Sequence, residues 1–306
     1  MILSCGEALI DMLPRTTEAG EAAFAPYPGG AVFNTAIALG RLGAPAGFFS
    51  GLSSDLFGEI LQDALAASHV DASPSVISAR PTTLAFVKLV DGHATYAFYD
   101  ENTAMRMLTP ADLPALPDDI SALFFGGISL VGEPCGAAYE ALMAREADSR
   151  VIMIDPNIRP SFITDEPAYR ARIERMIAMA DIVKLSDEDL HWLAGDGEIG
   201  LLARGLLAKG PKVICITEGS KGARGVMASG EVIVAATKVE VADTVGAGDT
   251  FNAGVLAALH EAGALTKSGL ANLDDRILTD ALRLGTRAAA ITVSRAGANP
   301  PWAREL

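Results

Sequence analysis

Short apolar runs recur along this chain, and each ends in a polar or glycine corner. Leu123-Phe124-Phe125 runs into Gly126-Gly127, and Val151-Ile152-Met153-Ile154 into Asp155-Pro156-Asn157. Ile182-Val183-Lys184-Leu185 runs into Ser186, and Val213-Ile214-Cys215-Ile216 into Thr217-Glu218-Gly219. Amphipathic stretches, such as 137–145 and 169–180, lie between them. Apolar run, polar corner and helix in repetition is the pattern of βαβ units around a buried parallel sheet. In such sheets ligands sit beyond the carboxyl ends of the strands. The corners at Gly127, Asn157, Ser186 and Thr217 are therefore expected to line one crevice.

One segment departs from that rhythm. Within 81–107, TLAFVKLVDGHATYAFYD places two β-rich arms around Asp91-Gly92, a hairpin turn signal. Alternation in Leu84, Phe86 and in Tyr96, Phe98 predicts one packed face. Two readings fit: a small sheet projecting from the α/β body as a lid, or an ordinary edge hairpin. The length of 306 residues suits one large α/β domain, or one with a small domain appended. No repeat, low-complexity tract or long linker divides it, and 1–306 is read as a single domain.

Two glycine turns carry candidate chemistry. In PYPGGAVFNTAIALGRLGA, Gly29-Gly30 permits close backbone or ligand approach before a helix through Val32, Ala36, Leu39 and Leu42. Asn34 lies in its first turn, placed either to meet a neutral polar ligand or to serve the backbone. In DTVGAGDTFNAG, Gly246, Ala247 and Gly248 precede Asp249, and Phe251, Val255, Ala258 and Leu259 follow at helical spacing. A plain N-cap aspartate accounts for Asp249. Three small residues in a row and a second acid at Asp243 exceed what a cap needs.

Known glycine motifs fail here. No Lys follows Gly248 as a Walker A loop requires, Phe251 occupies the third Rossmann glycine position, and there is no Gly-x-Ser-x-Gly elbow. What remains is a helix N-terminus whose N–H groups hold developing anionic charge, with a carboxylate at its edge. Such an acid repels bound phosphate, but suits a neutral hydroxyl whose proton it removes. The helix dipole is expected to keep it ionised.

Composition narrows the partners. With 38 acidic and 24 basic side chains the net charge is −14, which disfavours general nucleic-acid or anionic-membrane binding. The longest apolar runs, such as 120–128, are too short to span a bilayer. The opening MILSCGEALID lacks a basic segment before a cleavable apolar stretch and is not read as a signal peptide. Cys5, Cys135 and Cys215 are scattered and odd in number, fitting a reducing cytoplasm. The four histidines show no zinc spacing.

Taken together, GAGD inside DTVGAGDTFNAG, the early GGAVFNTAIALGRLG followed by GLSSDLFGE, ITEGSKGARG at 216–225 and the late RAAAITVSRAGA resemble the ribokinase-like (PfkB) carbohydrate kinases over nearly the whole length. The resemblance implies a doubly wound, mostly parallel sheet flanked by helices, with a small β lid built from roughly 11–27 and 80–107. It implies transfer of the ATP γ-phosphoryl group to a sugar hydroxyl, with Mg²⁺ and in some members K⁺. Carried over, Asp249 is the general base and Gly246, Ala247 and Gly248 form the anion hole. Asp11, Gly29, Gly30, Asn34, Phe98 and Arg159 meet the sugar. Asn157, Lys184, Ser186, Thr217, Gly219, Lys221 and Gly222 lie along the nucleotide. Asp243 and the 294–299 turn match the region of a monovalent cation.

The family's Asn-x-x-Glu motif, linked to magnesium, reads Ser186-x-x-Asp189 here, and Asp189 is the corresponding magnesium candidate. Within the family, RPTTLAFVKL and YAFYDENTAMRML are most similar to fructokinase strings. The 2-keto-3-deoxygluconate kinases, which share DPNIRPSF, place a cation in the lid where this chain has Asp100. An aspartate there repels an acid sugar, which favours a neutral one. Ribose-type acceptors, and a non-catalytic sensor on the same fold, are the alternatives. An apolar lid face also makes a homodimer through the lid an expectation.

Overall fold

The computed structural model describes the backbone at 1–90 and 93–306, and the side chains there except at 88–90 and 93–96. The Asp91-Gly92 turn and the packing of Tyr96 lie outside the described residues.

Among the described residues, nine strands form one sheet in the order Gly230–Val234, Ala223–Met227, Val213–Thr217, Ile182–Ser186, Val151–Asp155, Ala122–Gly126, Ile2–Cys5, Ala46–Phe49 and Val70–Asp71. From Val213–Thr217 onward all neighbours are parallel, and the two strands at the other edge are antiparallel. The central strands are the apolar runs of the sequence, buried on both faces because helices cover both.

Alternate residues of each strand feed two separate cores. Ile2, Phe124, Met153 and Ile182 pack with Phe33, Leu39, Phe251, Leu256 and Leu282, from the helices Ala31–Arg41, Ala247–Glu261 and Asp275–Val293. Leu3, Phe125, Ile152, Ile154 and Val183 pack with Tyr139, Ile173 and Leu206, from the helices Cys135–Glu146, Glu166–Met179 and Ile199–Leu207. Truncating one such large side chain costs about 2–5 kcal/mol, so either core is enough to fix the strand register. Ser53 and Thr217 sit at strand ends, and turns rather than further apolar residues follow them.

A second sheet has the order Ala22–Gly29, Leu9–Thr16, Leu84–Val90, His93–Tyr99. Its register puts Asp11 beside Ala85, and Ala85 beside Phe98. These three share the face that is covered, with Ala85 wholly buried. Leu84 pairs with Tyr99 and Phe86 with Ala97, so they occupy the opposite face. This corrects the grouping of Phe98 with Leu84 and Phe86: a two-residue period cannot assign faces across a hairpin until the register is known. On the outer face Phe24, Phe86 and Tyr99 stack edge to face, with centroids 5.0 and 5.4 Å apart.

Candidate active site

A cavity of about 800 Å³ opens beyond the carboxyl ends of Val151–Asp155, Ile182–Ser186 and Val213–Thr217. Asn157, Arg159, Lys184, Ser186, Thr217, Gly219 and Gly222 line it, and Ala247 and Gly248 reach it from the helix start. The expected base Asp249 and the sugar-side residues Asp11, Gly29, Gly30, Asn34 and Phe98 lie outside this lining, as do Gly246 and two residues expected along the crevice. Lys221 is exposed on the Gly219–Lys221 turn and does not line the cavity. Gly127 packs against the Glu7 carboxylate instead of facing the crevice.

The helix Ala247–Glu261 begins one turn earlier than an aspartate cap requires. Gly246 is the cap residue, in the left-handed region at φ 79° that glycine adopts without strain. Asp249 is thus the third helical residue. Among the described residues its side chain accepts no backbone N–H, and with Gly246 as the cap residue the plain N-cap reading does not hold. The partner it has among the described residues is Asn34, whose Nδ2 donates to Asp249 Oδ2 at 2.9 Å. Thr35 Oγ1 donates to the Asp249 carbonyl at 3.2 Å and fastens the two helices together.

Burial dominates the ionisation of Asp249. Desolvation pushes its carboxyl up to about 7, the Asn34 hydrogen bond lowers it in part, and the Asp155 charge adds to the rise. Burial thus works against the helix dipole expected to keep Asp249 ionised, and this 8% exposed carboxyl sits near neutrality. A carboxylate poised near neutrality accepts a proton from a neutral hydroxyl with a better-matched driving force.

Asp11 enters from the second sheet. It has no hydrogen-bond partner among the described residues, and burial pushes its carboxyl up to about 6. Gly29 lies close beside it, and a Cβ at 29 would displace the Asp11 carboxylate. Gly30, at φ 107°, turns the chain into the helix Ala31–Arg41, and a Cβ there would lie 2.9 Å from the Glu7 carbonyl. Glu7 then takes the role of the missing cap, accepting the Ala31 N–H at 2.9 Å. Phe98 stacks on Phe162 with centroids 4.6 Å apart.

Sequence reasoning passed over the polar knot beneath the turn. Lys184 Nζ donates to Asp155 Oδ2 at 2.8 Å, and Asn252 Nδ2 donates to the same oxygen at 2.7 Å. The ammonium lies next to the small-residue turn, since a Cβ at Gly248 would sit 3.0 Å from Lys184 Nζ. The available signal was Asn252 itself, a polar residue one helical turn after Asp249 and just before the apolar stretch 253–259.

The Ser186-x-x-Asp189 variation has a local explanation. Ser186 Oγ accepts the Asp189 N–H at 3.0 Å, and Asp189 Oδ2 accepts the Ser186 N–H at 3.4 Å, a capping box. Asp189 Oδ1 accepts the Ile158 N–H at 3.1 Å, and burial pushes its carboxyl up. Asp243 accepts the Val245 N–H at 3.0 Å and the Gly297 N–H at 2.9 Å, joining the turn to the 294–299 segment. Arg159 Nη1 donates to the Ile158 carbonyl at 2.9 Å. No cluster of three metal-ligating side chains occurs among the described residues.

Asp100 does not stand as a free charge. Arg106 forms a short ion pair with it. The neighbouring guanidinium offsets its charge, so Asp100 repels an acid sugar less than a lone carboxylate would.

The chain matches the model of the pfkB family carbohydrate kinases over residues 1–304. It is 60% identical over 278 residues to a fructokinase of Rhizobium leguminosarum bv. trifolii, covering 91% of this chain and 85% of that one. Fructokinase-1 of Oryza sativa subsp. japonica is 34% identical, covering 100% and 95%. Among solved structures, fructokinase of Xylella fastidiosa with bound ATP superposes with a TM-score of 0.86 at 28% identity, covering 97% of this chain and 93% of that one. A double mutant of Vibrio cholerae O395 fructokinase, bound to fructose, ADP and potassium ion, gives 0.85 at 25%, with the same coverage. The whole-length family match, a 60% identical relative and the shared fold lead to one conclusion: this chain belongs to the pfkB family of carbohydrate kinases and is a sugar kinase.

Proposed function

We propose that this chain transfers the γ-phosphoryl group of ATP to fructose, giving fructose 6-phosphate. The observation that carries the substrate is the 60% identity to the Rhizobium fructokinase over most of both chains. Fructose sits between the second sheet, acting as a lid, and the body, within the single unit 1–306. Asp11 accepts from its hydroxyls, Gly29 and Gly30 let it approach the backbone, Phe98 covers it, and Asn34 orients both sugar and base.

Asp249 takes the proton of the attacking hydroxyl. The N–H groups at Gly246, Ala247 and Gly248, reinforced by the Lys184 ammonium, stabilise the transferring group as its charge redistributes. Asn157, Ser186, Thr217, Gly219 and Gly222 follow the nucleotide, and Arg159 is placed to meet a phosphate. Lys221 reaches the phosphates only by a change of side-chain position.

Mg²⁺ enters as the partner of ATP. Among the described residues no carboxylate cluster is present, so Asp189 would hold the ion through waters while the ATP phosphates bind it directly. Asp189 has a lone pair on each oxygen left for those waters. When bound, the ion neutralises charge on the phosphate oxygens. Asp243 has the same reserve after its two N–H contacts, and fits a monovalent cation shared with carbonyls of 294–299. The exposed Phe24 and Tyr99 suit pairing of two lids in a homodimer. Three free, buried thiols accord with a cytoplasmic setting.

A second substrate reading has its own support. With Asp100 paired to Arg106, 2-keto-3-deoxygluconate is not excluded by charge. A coupled assay with ATP, Mg²⁺ and K⁺ against fructose, 2-keto-3-deoxygluconate, ribose and aminoimidazole riboside decides between them. Fructose is expected to give the highest kcat/KM by at least about tenfold. A higher value for another sugar replaces the substrate, and binding of sugar and ATP without transfer replaces the kinase with a sensor.

A further inference from the structure

Asp155 has no part in the steps above, yet it is 2% exposed at the end of a central strand, beside the cavity. Three elements converge on it. Its Oδ2 receives Lys184 Nζ from the neighbouring strand and Asn252 Nδ2 from the helix that carries Asp249. Its Oδ1 accepts the Asn157 N–H at 3.2 Å, at the start of the loop toward the nucleotide.

Stability alone does not account for this knot. A buried ion pair gains little over apolar residues of the same volume. The parallel ladder already joins Val151–Asp155 to Ile182–Ser186. Asn252 also has its Oδ1 buried without a partner among the described residues, so the donor side of its amide is directed to Asp155 while the acceptor side goes unsatisfied.

We propose that Asp155 is a positioning residue for phosphoryl transfer, holding the Lys184 ammonium under the Gly248 turn and locking, through Asn252, the helix that bears Asp249 into the same frame. The ammonium has three donors, and Asp155 takes one. The others are left for phosphate oxygens in the cavity that Lys184 lines. Asn252 follows Asp249 by three residues, one turn of helix, so its bond to Asp155 sets the rotation of the base about the helix axis. One carboxylate thereby fixes the distance between base and cation. The inference rests on the phosphate-side role given to Lys184 above.

The test uses the full chain with Asp155→Asn, Lys184→Met and the double variant. Asp155→Asn is expected to lower kcat about 10²-fold, the loss that a small misplacement of reacting groups produces. Affinity for the magnesium complex of a non-hydrolysable ATP analogue should weaken about tenfold, as when a charged hydrogen bond is lost, while affinity for ADP stays within threefold.

In the Lys184→Met background, Asp155→Asn should add no more than about tenfold, the part carried by the Asn252 tie. The acid limb of kcat/KM should also move to lower pH in Asp155→Asn. Asp249 faces Asn34, Lys184, Asp155 and Glu7, and Asp155 is a charge opposing its ionisation. The split between analogue and ADP affinity, rather than this limb, separates a positioning role from bracing of the fold.

Normal kcat and normal analogue affinity in Asp155→Asn would overturn the proposal. So would a full loss persisting in the Lys184→Met background. If thermal melting shows that Asp155→Asn does not fold, Asn252→Ala carries the test. It keeps the ion pair and removes the helix tie, so kcat should fall about tenfold with analogue affinity unchanged, and an unchanged kcat rejects the idea. Analogue and ADP affinities are read without sugar, so wild-type failure on fructose would reject the substrate assignment and leave this inference standing.

Discussion

Asn34 Nδ2 donates to Asp249 Oδ2 across 2.9 Å, tying the first glycine turn to the second over 215 residues of sequence. The hydrogen bond favours the ionised form of a carboxyl that burial otherwise pushes up. A residue expected to touch substrate therefore also tunes the base.

Replacing Asp249 with Asn removes the proton acceptor while keeping the shape and the hydrogen-bonding edge. Turnover should drop about 10²–10⁴-fold, with fructose affinity by calorimetry within a few-fold of wild type. Near-normal kcat in this variant would remove Asp249 from the mechanism.

The ionisation of Asp249 predicts two pH dependences. Its folded-state value of about 7 lies above the ordinary carboxylate range, so kcat/KM should fall as pH drops below about 7 and the base becomes protonated. Stability has the opposite slope. A carboxyl raised on folding binds more protons in the native state, so its contribution is fully present below the unfolded value near 4 and is lost as pH rises through about 7. Denaturant titrations between pH 5 and 8 should show ligand-free protein losing stability with rising pH, and Asp249→Asn should flatten that slope by on the order of a few kcal/mol. In Asn34→Ala the acid limb of kcat/KM should move to higher pH, since the bond favouring the anion is gone. An unmoved limb would mean that water replaces the amide.

The pairing of Asp100 with Arg106 makes a prediction about selectivity. If the neighbouring guanidinium offsets Asp100, then removing both charges together (Asp100→Asn with Arg106→Gln) should change the ratio of kcat/KM for fructose over 2-keto-3-deoxygluconate by less than about threefold. Exposed or half-exposed ion pairs are worth about 0–1 kcal/mol. A tenfold shift toward the acid sugar would restore Asp100 as a selectivity filter.

The parallel body and the crevice corners were legible because βαβ periodicity is a local signal, and Asn157, Ser186 and Thr217 do line one cavity. Three features were not. Faces of the second sheet depend on register, which paired Leu84 with Tyr99 and reversed the placement of Phe98. The ionisation of Asp249 depends on burial, and no motif encodes how much water a tertiary packing removes. The knot of Asp155, Lys184 and Asn252 joins positions 29 and 97 residues apart, and a single sequence carries no sign of such distances. Ser186 and Asp189 show a further limit: their spacing resembles a metal motif, and it also forms a capping box, a local role that the spacing alone does not reveal.

Gly30 offers a test of how the sugar side is built. Its φ of 107° is a conformation that L side chains rarely adopt, and a Cβ there would press to 2.9 Å of the Glu7 carbonyl. Glu7 cannot retreat easily, because its carboxylate accepts the Ala31 N–H at 2.9 Å and the Ser129 N–H at 3.3 Å. The strain of Gly30→Ala, about 1–3 kcal/mol, therefore falls on the start of the helix Ala31–Arg41, which carries Asn34. Thermal melting should drop by several degrees, and the fructose KM should rise more than the ATP KM, because Lys184 and Thr217 stand on strands that this turn does not touch. Equal changes in both KM values would show that the two halves of the crevice move together. An unchanged fructose KM at a lowered melting temperature would mean that the turn serves the fold alone.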